Sequence, residues 1–355
     1  MEKYLLEDFQ NELSQIKEYI KHIKKVNDLV DIEVPDEPVF QEFKTHFLSF
    51  RNDKKLFEYK SIIISLYGLL EKYIELWAQA YLSSLSSLVS YGNLSESLKN
   101  KHFELSMKLI NVVIEGRQVK YSKLNKEDVV KKLNNCIENH SSYDFNVEAF
   151  TMQSGNLTHR RIEDIFNSID ISISKELIKN TELVTLIGLG DSQIQNTESN
   201  VLFGKINELV DRRNTIAHGA IIDNLLGLSE LEPYIEFLEK YCVAIFCLLA
   251  EKDIENQTIE KYREVSCQGV FTDKTVVGIS AENSKIKIGD WIIIKTAEQG
   301  NEHFYKKAIK SLGKDSKNDY SELDIKEKTN VAIGIDNQEQ LPITTQCTLY
   351  IEKRL

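Results

Sequence analysis

Residues 56–89 read LFEYKSIIISLYGLLEKYIELWAQAYLSSLSSLV, a long run in which apolar residues recur at helical spacing on nearly all sides. A helix of this kind is buried in the middle of a domain, because it has no polar face to present to water. The stretch therefore predicts a central buried helix, around which other helices of the chain pack.

A second helix is predicted upstream of this stretch. Its apolar residues recur at alternating spacings of three and four, which is a heptad pattern on one helix face. They are Leu6, Phe9, Leu13, Ile16, Ile20 and Ile23. That face needs a partner, which is either the domain's own core or a second copy of the chain. Pro35 and Pro38 are expected to end this helix.

Further helices are predicted downstream, over residues 100–115, 125–138, 156–171 and about 199–218. Short polar side chains that precede a helix satisfy its first backbone N–H groups, so Asn125 and Thr158 are predicted N-caps. Gly219 is the predicted stop of the last of these helices.

The sequence pattern changes after about residue 264, where short runs of β-branched residues alternate with Gly, Asp and Asn. This pattern predicts strands and turns. Trp291 is expected in a barrel core, with an exposed ligand platform as the alternative. The expected fold is mainly α, a helical bundle followed by a small C-terminal all-β, barrel-like domain. The expected domains are an N-terminal amphipathic helix and linker (1–50), a helical domain (51–263) and the β domain (264–355).

Composition and charge exclude several classes of protein. A hydrophobic fraction of 42% argues against disorder, and a net charge of −11 argues against a general basic coat for nucleic acid, so any nucleic-acid site is local. The five scattered cysteines contain no CxxC pair, so we expect reduced thiols, no metal and no cofactor. No signal peptide is visible, and the most apolar run, residues 241–250, is too short to span a bilayer, so we expect a cytoplasmic protein without a membrane partner.

The run VDRRNTIAHG, residues 210–219, concentrates polar chemistry at the end of a predicted helix. Arg213 carries a planar, permanently charged guanidinium that suits a phosphate. His218 is the nearby residue whose side chain gains and loses a proton near neutral pH. Residues five apart on a helix are rotated by about 140°, so a site that uses both side chains needs either a loosened helix near Gly219 or a second subunit. The alternative is ordinary capping and surface chemistry at a helix end.

This run resembles the signature of the HEPN superfamily (higher eukaryotes and prokaryotes nucleotide-binding), in which Arg is followed after four to six residues by His, often as Arg-Asn-x-x-x-His. Two further stretches are similar to one prokaryotic branch. Residues 66–82, LYGLLEKYIELWAQAYL, resemble its first core helix with an aromatic-x-x-x-Glu pattern. Residues 154–171, SGNLTHRRIEDIFNSIDI, resemble its segment containing Asn-Leu. The resemblance covers about residues 56–250.

The resemblance implies a bundle that dimerises, with two motif helices facing each other across a composite cleft that cleaves RNA without a metal in active members. Arg213 would bind the scissile phosphate, and Asn214 would orient the site. His218 would act as general acid and base or position the 2′-hydroxyl, leaving a 2′,3′-cyclic phosphate. Glu71 would hold the Arg or His, or else is a helix carboxylate paired with a lysine. Arg212 is either a second phosphate contact or a solvated neighbour.

Four basic residues outside the motif are further candidate RNA contacts, with a solvated basic surface as the alternative. They are Lys120, Lys123, Arg160 and Arg161. Some small members of the superfamily carry a tyrosine two residues after the His as the target of a nucleotidyltransferase partner, whereas this chain has Ala220. That mode of control is therefore not expected here.

The expected function is a metal-independent endoribonuclease that acts on RNA as a homodimer. The resemblance also implies a toxin or antiviral defence role, with an antitoxin or another defence-system protein as partner. The alternative is a non-catalytic HEPN-like scaffold that binds nucleotide, RNA or a protein. In a third interpretation, the β domain is the functional module and the helices only dimerise it.

Overall fold

The computed structural model describes residues 1–31, 37–140, 142–152, 155–220, 222, 224–298, 301–314, 317, 320–337 and 340–353. The chain divides into two compact units, one of residues 1–86 and 90–248 and the other of residues 87–89 and 249–355. Helices fill the chain up to Lys261, and strands follow from Tyr262. The predicted fold class, a helical region followed by a β-barrel, is confirmed.

The helical region contains short and long helices. Within the described residues they are α1 (Tyr4–Asp31), α2 (Pro38–Leu88), α3 (Glu96–Glu115), α4 (Lys126–Ile137), α5 (Val147–Thr151), α6 (His159–Asn167), α7 (Ile173–Leu177), α8 (Thr181–Ile187), α9 (Asp191–Asn196), α10 (Ser199–Leu202), α11 (Gly204–Ala217) and α12 (Leu228–Lys261). The predicted helix over residues 199–218 is thus two helices, which meet at Phe203.

The central helix α2 is longer than the sequence predicts. It begins at Pro38, a residue tolerated in a first turn because its missing N–H has no partner there. Helix α1 ends at Asp31, ahead of both prolines, so the predicted end of this helix is confirmed, whereas Pro38 opens α2. Pro35 lies outside the described residues. The buried side chains of α2 begin at Glu58.

Helix α1 packs antiparallel against α2. The indole N–H of Trp77 donates to the Leu5 carbonyl at 3.3 Å, and the Lys54 ammonium donates to Asn27 at 3.4 Å. The fully buried members of the heptad face are Phe9, Leu13, Ile20 and Ile23. Of the two partners left open for this face, it takes the chain's own core, where burial stabilises each such side chain by about 1.5–3 kcal/mol.

Local capping signals are confirmed where the sequence predicts them. The Asn125 side chain accepts from the backbone N–H of Glu127 at the start of α4, and Thr158 accepts from Arg161 at the start of α6. Each cap satisfies a backbone donor that the first helical turn leaves unpaired. These two caps fix where α4 and α6 begin.

The C-terminal unit contains a closed antiparallel barrel with strand order β1-β2-β7-β5-β4-β8 and a separate pair, β3 and β6. The strands are β1 (Tyr262–Phe271), β2 (Val276–Ala281), β3 (Ser284–Lys287), β4 (Trp291–Glu298), β5 (Asn301–Gly313), β6 (Glu322–Ile325), β7 (Thr329–Ile335) and β8 (Thr348–Glu352). Ile292 and Ile294 of β4 join the barrel core. Because side chains alternate along a strand, Trp291 lies on the other face and is 44% exposed, so its predicted place in the core is wrong.

The described part of the chain contains no helix that is both long and apolar enough to cross a membrane. The five cysteines are free thiols, and Cys136, Cys242 and Cys347 are buried.

Two histidines of the first unit are fully buried. His102 Nε2 accepts from the Asn146 N–H at 3.1 Å, and the His159 ring nitrogens contact the hydroxyls of Tyr241 and Ser174 at 2.8 and 3.0 Å. Burial lowers the pKa of both imidazoles to about 4. Both rings are therefore neutral in the folded protein at neutral pH.

We expect the free energy of unfolding to fall when the pH is lowered from 7 to 5. The unfolded chain protonates each histidine near pH 6.5, whereas the folded protein does so only near the lowered pKa, so protons bind preferentially to the unfolded state in between. Above pH 6.5 the buried neutral histidines make their full contribution to the free energy of unfolding. About 2 kcal/mol of that contribution is lost per histidine by pH 5. Urea unfolding at both values measures it. His159→Gln should lose about 2 kcal/mol less than wild type over this interval, and equal losses would contradict the assignment.

Candidate active site

Helix α11 presents the motif at its C-terminal end. Its helical residues end at Ala217, His218 is the C-cap with φ −86° and ψ 1°, and Gly219 follows with φ 66°. This left-handed conformation favours glycine, so the predicted helix stop is confirmed. The imidazole of His218 is exposed, and no residue in the described part of the chain bonds to it.

Arg213 is held by an aromatic ring and an amide. Its guanidinium carbon lies 4.7 Å from the centroid of the Tyr67 ring, and its Nη1 donates to Asn214 Oδ1 at 3.2 Å. Among the described residues, no carboxylate forms an ion pair with it. Stacking on a ring face attracts a cation but does not neutralise it. Arg213 thus keeps a positive charge on a partly exposed, positioned guanidinium.

Tyr67 connects the three stretches of sequence that resemble HEPN proteins, residues 66–82, 154–171 and 210–219. Its ring lies on α2, its face carries Arg213 of α11, and its hydroxyl accepts from the Leu157 N–H at 3.2 Å. A second link joins the same segments, because Asn207 of α11 accepts from the His159 N–H at 2.9 Å. Burial raises the pKa of Tyr67, so the phenol stays protonated and available as a donor.

Two carboxylates follow Tyr67 on the same face of α2, since Tyr67, Glu71 and Glu75 are each four residues apart. Glu71 is half-buried and makes no hydrogen bond or ion pair with the motif residues among those described. Its charge is close enough to raise the pKa of Tyr67. Glu75 is buried and paired with Lys120; burial raises the pKa of Glu75, and the ammonium opposes that rise.

Lys120 therefore lies at the far end of the α2 face that begins at Tyr67. Glu75 is eight residues beyond Tyr67, which is about 12 Å along the helix axis. The ammonium of Lys120 pairs with the carboxylate of Glu75, and the Lys120 side chain is 49% exposed. Lys120 therefore also presents a positive charge at the surface. Arg213 and Lys120 mark the two ends of this face.

Arg212, the neighbour of Arg213, is engaged in a different way. Its Nε and Nη2 donate to Glu208 Oε1 at 3.0 and 2.6 Å, and its Nη1 donates to the Tyr59 hydroxyl at 3.0 Å and the Asn224 carbonyl at 3.1 Å. Only 14% of its side chain is exposed. All of these partners belong to the first unit, so Arg212 ties α11 to α2.

We expect Arg212→Ala to lower the free energy of unfolding by about 1–3 kcal/mol, because it leaves the buried Tyr59 hydroxyl without this donor and removes a charged hydrogen bond to Glu208. Urea unfolding measures the change. Arg117→Ala is the control, since 84% of that side chain is exposed and its loss should change stability by no more than about 0.5 kcal/mol. Equal stabilities for the two variants would contradict a structural role of Arg212.

The other basic candidates lie outside the contacts of the motif. Lys123 and Arg160 are exposed. Arg161 lies 3.8 Å from Asp164. It also lines a cleft of about 670 Å³ whose other charged lining residues include Lys101, Lys108 and Glu104. Among the described residues, Lys123 and Arg160 make no contact with Arg213 or His218. The role of Lys123, Arg160 and Arg161 toward RNA stays a prediction.

Sequence reasoning did not assign a role to the ring of Tyr67 or to the Tyr59 hydroxyl. Both lie on α2, far from the motif in sequence, and only the fold brings them to α11. The signal that was available is the spacing of Tyr67 and Glu71, four residues apart on one helix face. Within the described chain, no group of three His, Cys, Asp or Glu side chains is placed to hold a metal ion.

Comparison with known proteins gives one family match, a model described as RiboL-PSP-HEPN, over residues 7–251. The match includes α1, which lies upstream of the region that the sequence resemblance covers. No curated protein matches the chain. One similar solved structure is the flavohemoglobin from Malassezia yamatoensis with bound FAD and heme, at 8% identity and a TM-score of 0.17, covering 83% of this chain and 63% of that one.

A TM-score this low supports no conclusion about fold or function, and the chain spans less than two thirds of that flavohemoglobin. The HEPN match indicates a nuclease or nucleotide-binding role and an interaction with RNA. Because the match covers more than half of the 355 residues, the chain belongs to the HEPN family described as RiboL-PSP-HEPN.

Proposed function

We propose that this protein is a metal-independent endoribonuclease that works as a homodimer, with Arg213 and His218 in a composite cleft. The observation that carries the proposal is the contrast between two neighbouring arginines. Arg212 is neutralised by Glu208, whereas Arg213 stacks on Tyr67 and has no carboxylate partner among the described residues. A positioned guanidinium without a counter-charge is suited to a phosphate.

In the proposed reaction, the 2′-oxygen of the substrate attacks the adjacent phosphorus. His218 removes the 2′-hydroxyl proton, and the departing 5′-oxygen takes up a proton from water at this exposed site. Arg213 stabilises the charge that builds on the pentacoordinate phosphate. The P–O2′ bond forms while the P–O5′ bond breaks, so the products are a 2′,3′-cyclic phosphate and a 5′-hydroxyl, with no net change in redox state.

The proposal of a composite site follows from the geometry of a single chain. Arg213 packs against α2, whereas His218 is the exposed C-cap of α11, and the two side chains do not contact each other in the described chain. A second motif helix supplies the missing histidine or arginine. An isologous dimer places the same residues of both subunits on one axis.

The test is incubation of the purified full chain with total cellular RNA in excess EDTA, followed by analysis of the fragment ends. We expect cleavage that survives chelation and leaves cyclic phosphate and 5′-hydroxyl ends, while an oligonucleotide with 2′-deoxyribose at the cleavage position stays intact. Cleavage that needs a divalent cation, or that leaves 5′-phosphates, would overturn the mechanism. A folded dimer that binds RNA without cutting it supports the non-catalytic scaffold instead.

The proposal extends to a role as a toxin or antiviral defence effector with a partner protein, which rests on the family resemblance alone. Induced expression in a bacterial host tests it. We expect growth arrest with wild type and normal growth with His218→Ala at the same protein level, and equal growth of both strains would argue against a toxin.

Tyr67→Leu is expected to lower the rate of RNA cleavage by about 10- to 100-fold, because the guanidinium of Arg213 loses the ring that positions it. Tyr67→Phe keeps the ring and loses only the hydroxyl bonded to Leu157, so its rate should stay within about tenfold of wild type. Single-turnover cleavage with saturating RNA measures both. Equal losses in the two variants would assign the effect to the hydroxyl and not to the stack.

A further inference from the structure

The first part of α2, residues 38–57, forms an exposed arm. No side chain in this segment is buried, and the buried residues of α2 begin at Glu58. The arm nevertheless exposes several large apolar side chains. Val39 is 74% exposed, Phe43 57% and Phe57 68%. Exposure of so many aromatic and aliphatic side chains to water is unfavourable, and the described part of the chain leaves this apolar surface uncovered.

The aromatic residues of the arm lie in one line. Phe40, Phe43, Phe47, Phe50, Lys54 and Phe57 follow one another at spacings of three, four, three, four and three. This is the a/d spacing of a coiled-coil seam, which faces a second helix and not water. The rings of Phe43 and Phe47 lie 6.3 Å apart, consistent with neighbours on one face.

Helix α1 contacts this seam at Lys54 but does not extend along residues 38–50. Lys54 lies opposite Asn27 in the antiparallel pair, so the end of α1 at Asp31 lies opposite Phe50, four residues along each helix. Residues 38–50 therefore continue about 20 Å beyond the end of α1.

We propose that the arm pairs with the arm of a second copy of this chain, in an antiparallel arrangement. Charge complementarity supports this choice of partner. The charged residues of the arm are Glu42 and Lys44 near its start, and Arg51, Asp53, Lys54 and Lys55 near its end. Lys54 already pairs with Glu58 of its own chain. In an antiparallel pair with Phe40 of one arm opposite Phe57 of the other, Glu42 lies opposite Lys55 and Lys44 lies opposite Asp53, whereas parallel pairing in register places like charges together. The same arm serves both subunits, as a twofold interface requires.

The area of the seam is sufficient for such a contact. A buried aromatic side chain covers about 150–250 Å², so the half-exposed rings of one arm offer about 400 Å². Two arms with their flanking Val39 and Leu48 then bury about 1,000 Å², which is the lower range of specific interfaces. The arm dimer does not depend on RNA cleavage. A monomeric chain would contradict both the arm dimer and the proposed composite site, whereas a dimer that tolerates charges in the seam would contradict the arm dimer alone.

The experiment compares two double variants by sedimentation equilibrium of the full chain without RNA. Phe43→Glu with Phe50→Glu places two charges in the seam. Thr45→Glu with Asn52→Glu places two charges at the same spacing on the opposite, exposed face of the arm. Circular dichroism verifies that both variants are folded, and Phe43→Ala with Phe50→Ala serves as a milder seam variant.

We expect wild type and the Thr45/Asn52 variant to dimerise alike, and the dissociation constant of the Phe43→Glu/Phe50→Glu variant to rise at least about tenfold. The alanine variant should shift it in the same direction by a smaller factor. A monomeric wild type at tens of micromolar, or seam variants that dimerise as tightly as wild type, would overturn the proposal. Equal weakening by both glutamate variants would also overturn it, because the effect would then be one of charge and not of the seam.

Discussion

His218→Ala is expected to lower the rate of RNA cleavage by about 10²- to 10⁴-fold, the usual contribution of a positioned proton-transfer group. The side chain is exposed at the C-cap of α11, and no described residue bonds to it. Its removal should therefore cost activity without loss of stability. Single-turnover cleavage, measured beside the unfolding free energy of the same preparations, separates the two effects.

His22→Ala is the matched control for this experiment, since it removes another exposed imidazole from the helical unit. Its rate should equal that of wild type. Because the site of His218 is open to solvent, free imidazole should restore part of the lost rate in His218→Ala and none in a variant that lacks Arg213. Full activity of His218→Ala would place the proton transfer elsewhere.

The features of the fold that could be predicted are those written in local sequence. The heptad spacing of α1, the caps Asn125 and Thr158 and the stop at Gly219 each depend on residues within a few positions, and the structure confirms them. The preferred place of Trp291 in the core was wrong because strand alternation assigns a side chain to a face only once the register of the strand is known. The helical start of α2 was missed because two prolines suggested a linker.

In the candidate site too, local sequence predicts some features, whereas others depend on the fold. The spacing of Arg213 and His218 is visible in the sequence, but the sequence left open whether Arg212 is a second phosphate contact or a solvated neighbour. The different roles of the two arginines come from their neighbours, which are Glu208 on the same helix and Tyr59 on α2 for Arg212, and Tyr67 on α2 for Arg213. A carboxylate four residues away on the same helix explains the pairing of Arg212, since residues at this spacing face each other. The Tyr67 stack joins two helices, so no local pattern predicts it.

Arg213→Ala is the second prediction with a large effect, and we expect a loss of about 10²- to 10³-fold in the rate of cleavage. Arg213→Lys keeps the charge but loses the planar fork that stacks on Tyr67 and binds two phosphate oxygens, so it should recover only part of the rate. Stability should change by no more than about 1 kcal/mol, the contribution of an exposed cation–π contact. Arg212→Ala gives the reverse pattern, with lower stability and a cleavage rate within about tenfold of wild type.

Co-expression of the two inactive variants, each with its own tag, tests whether the site is shared. If Arg213 of one subunit acts with His218 of the other, a mixed dimer of Arg213→Ala and His218→Ala holds one intact pair and one site that lacks both groups. Dimers purified through both tags should then recover about half of the wild-type rate. If each chain used its own pair, every site in the mixed dimer would lack one group. An inactive mixed dimer would therefore contradict a site built from one Arg213 and the opposite His218.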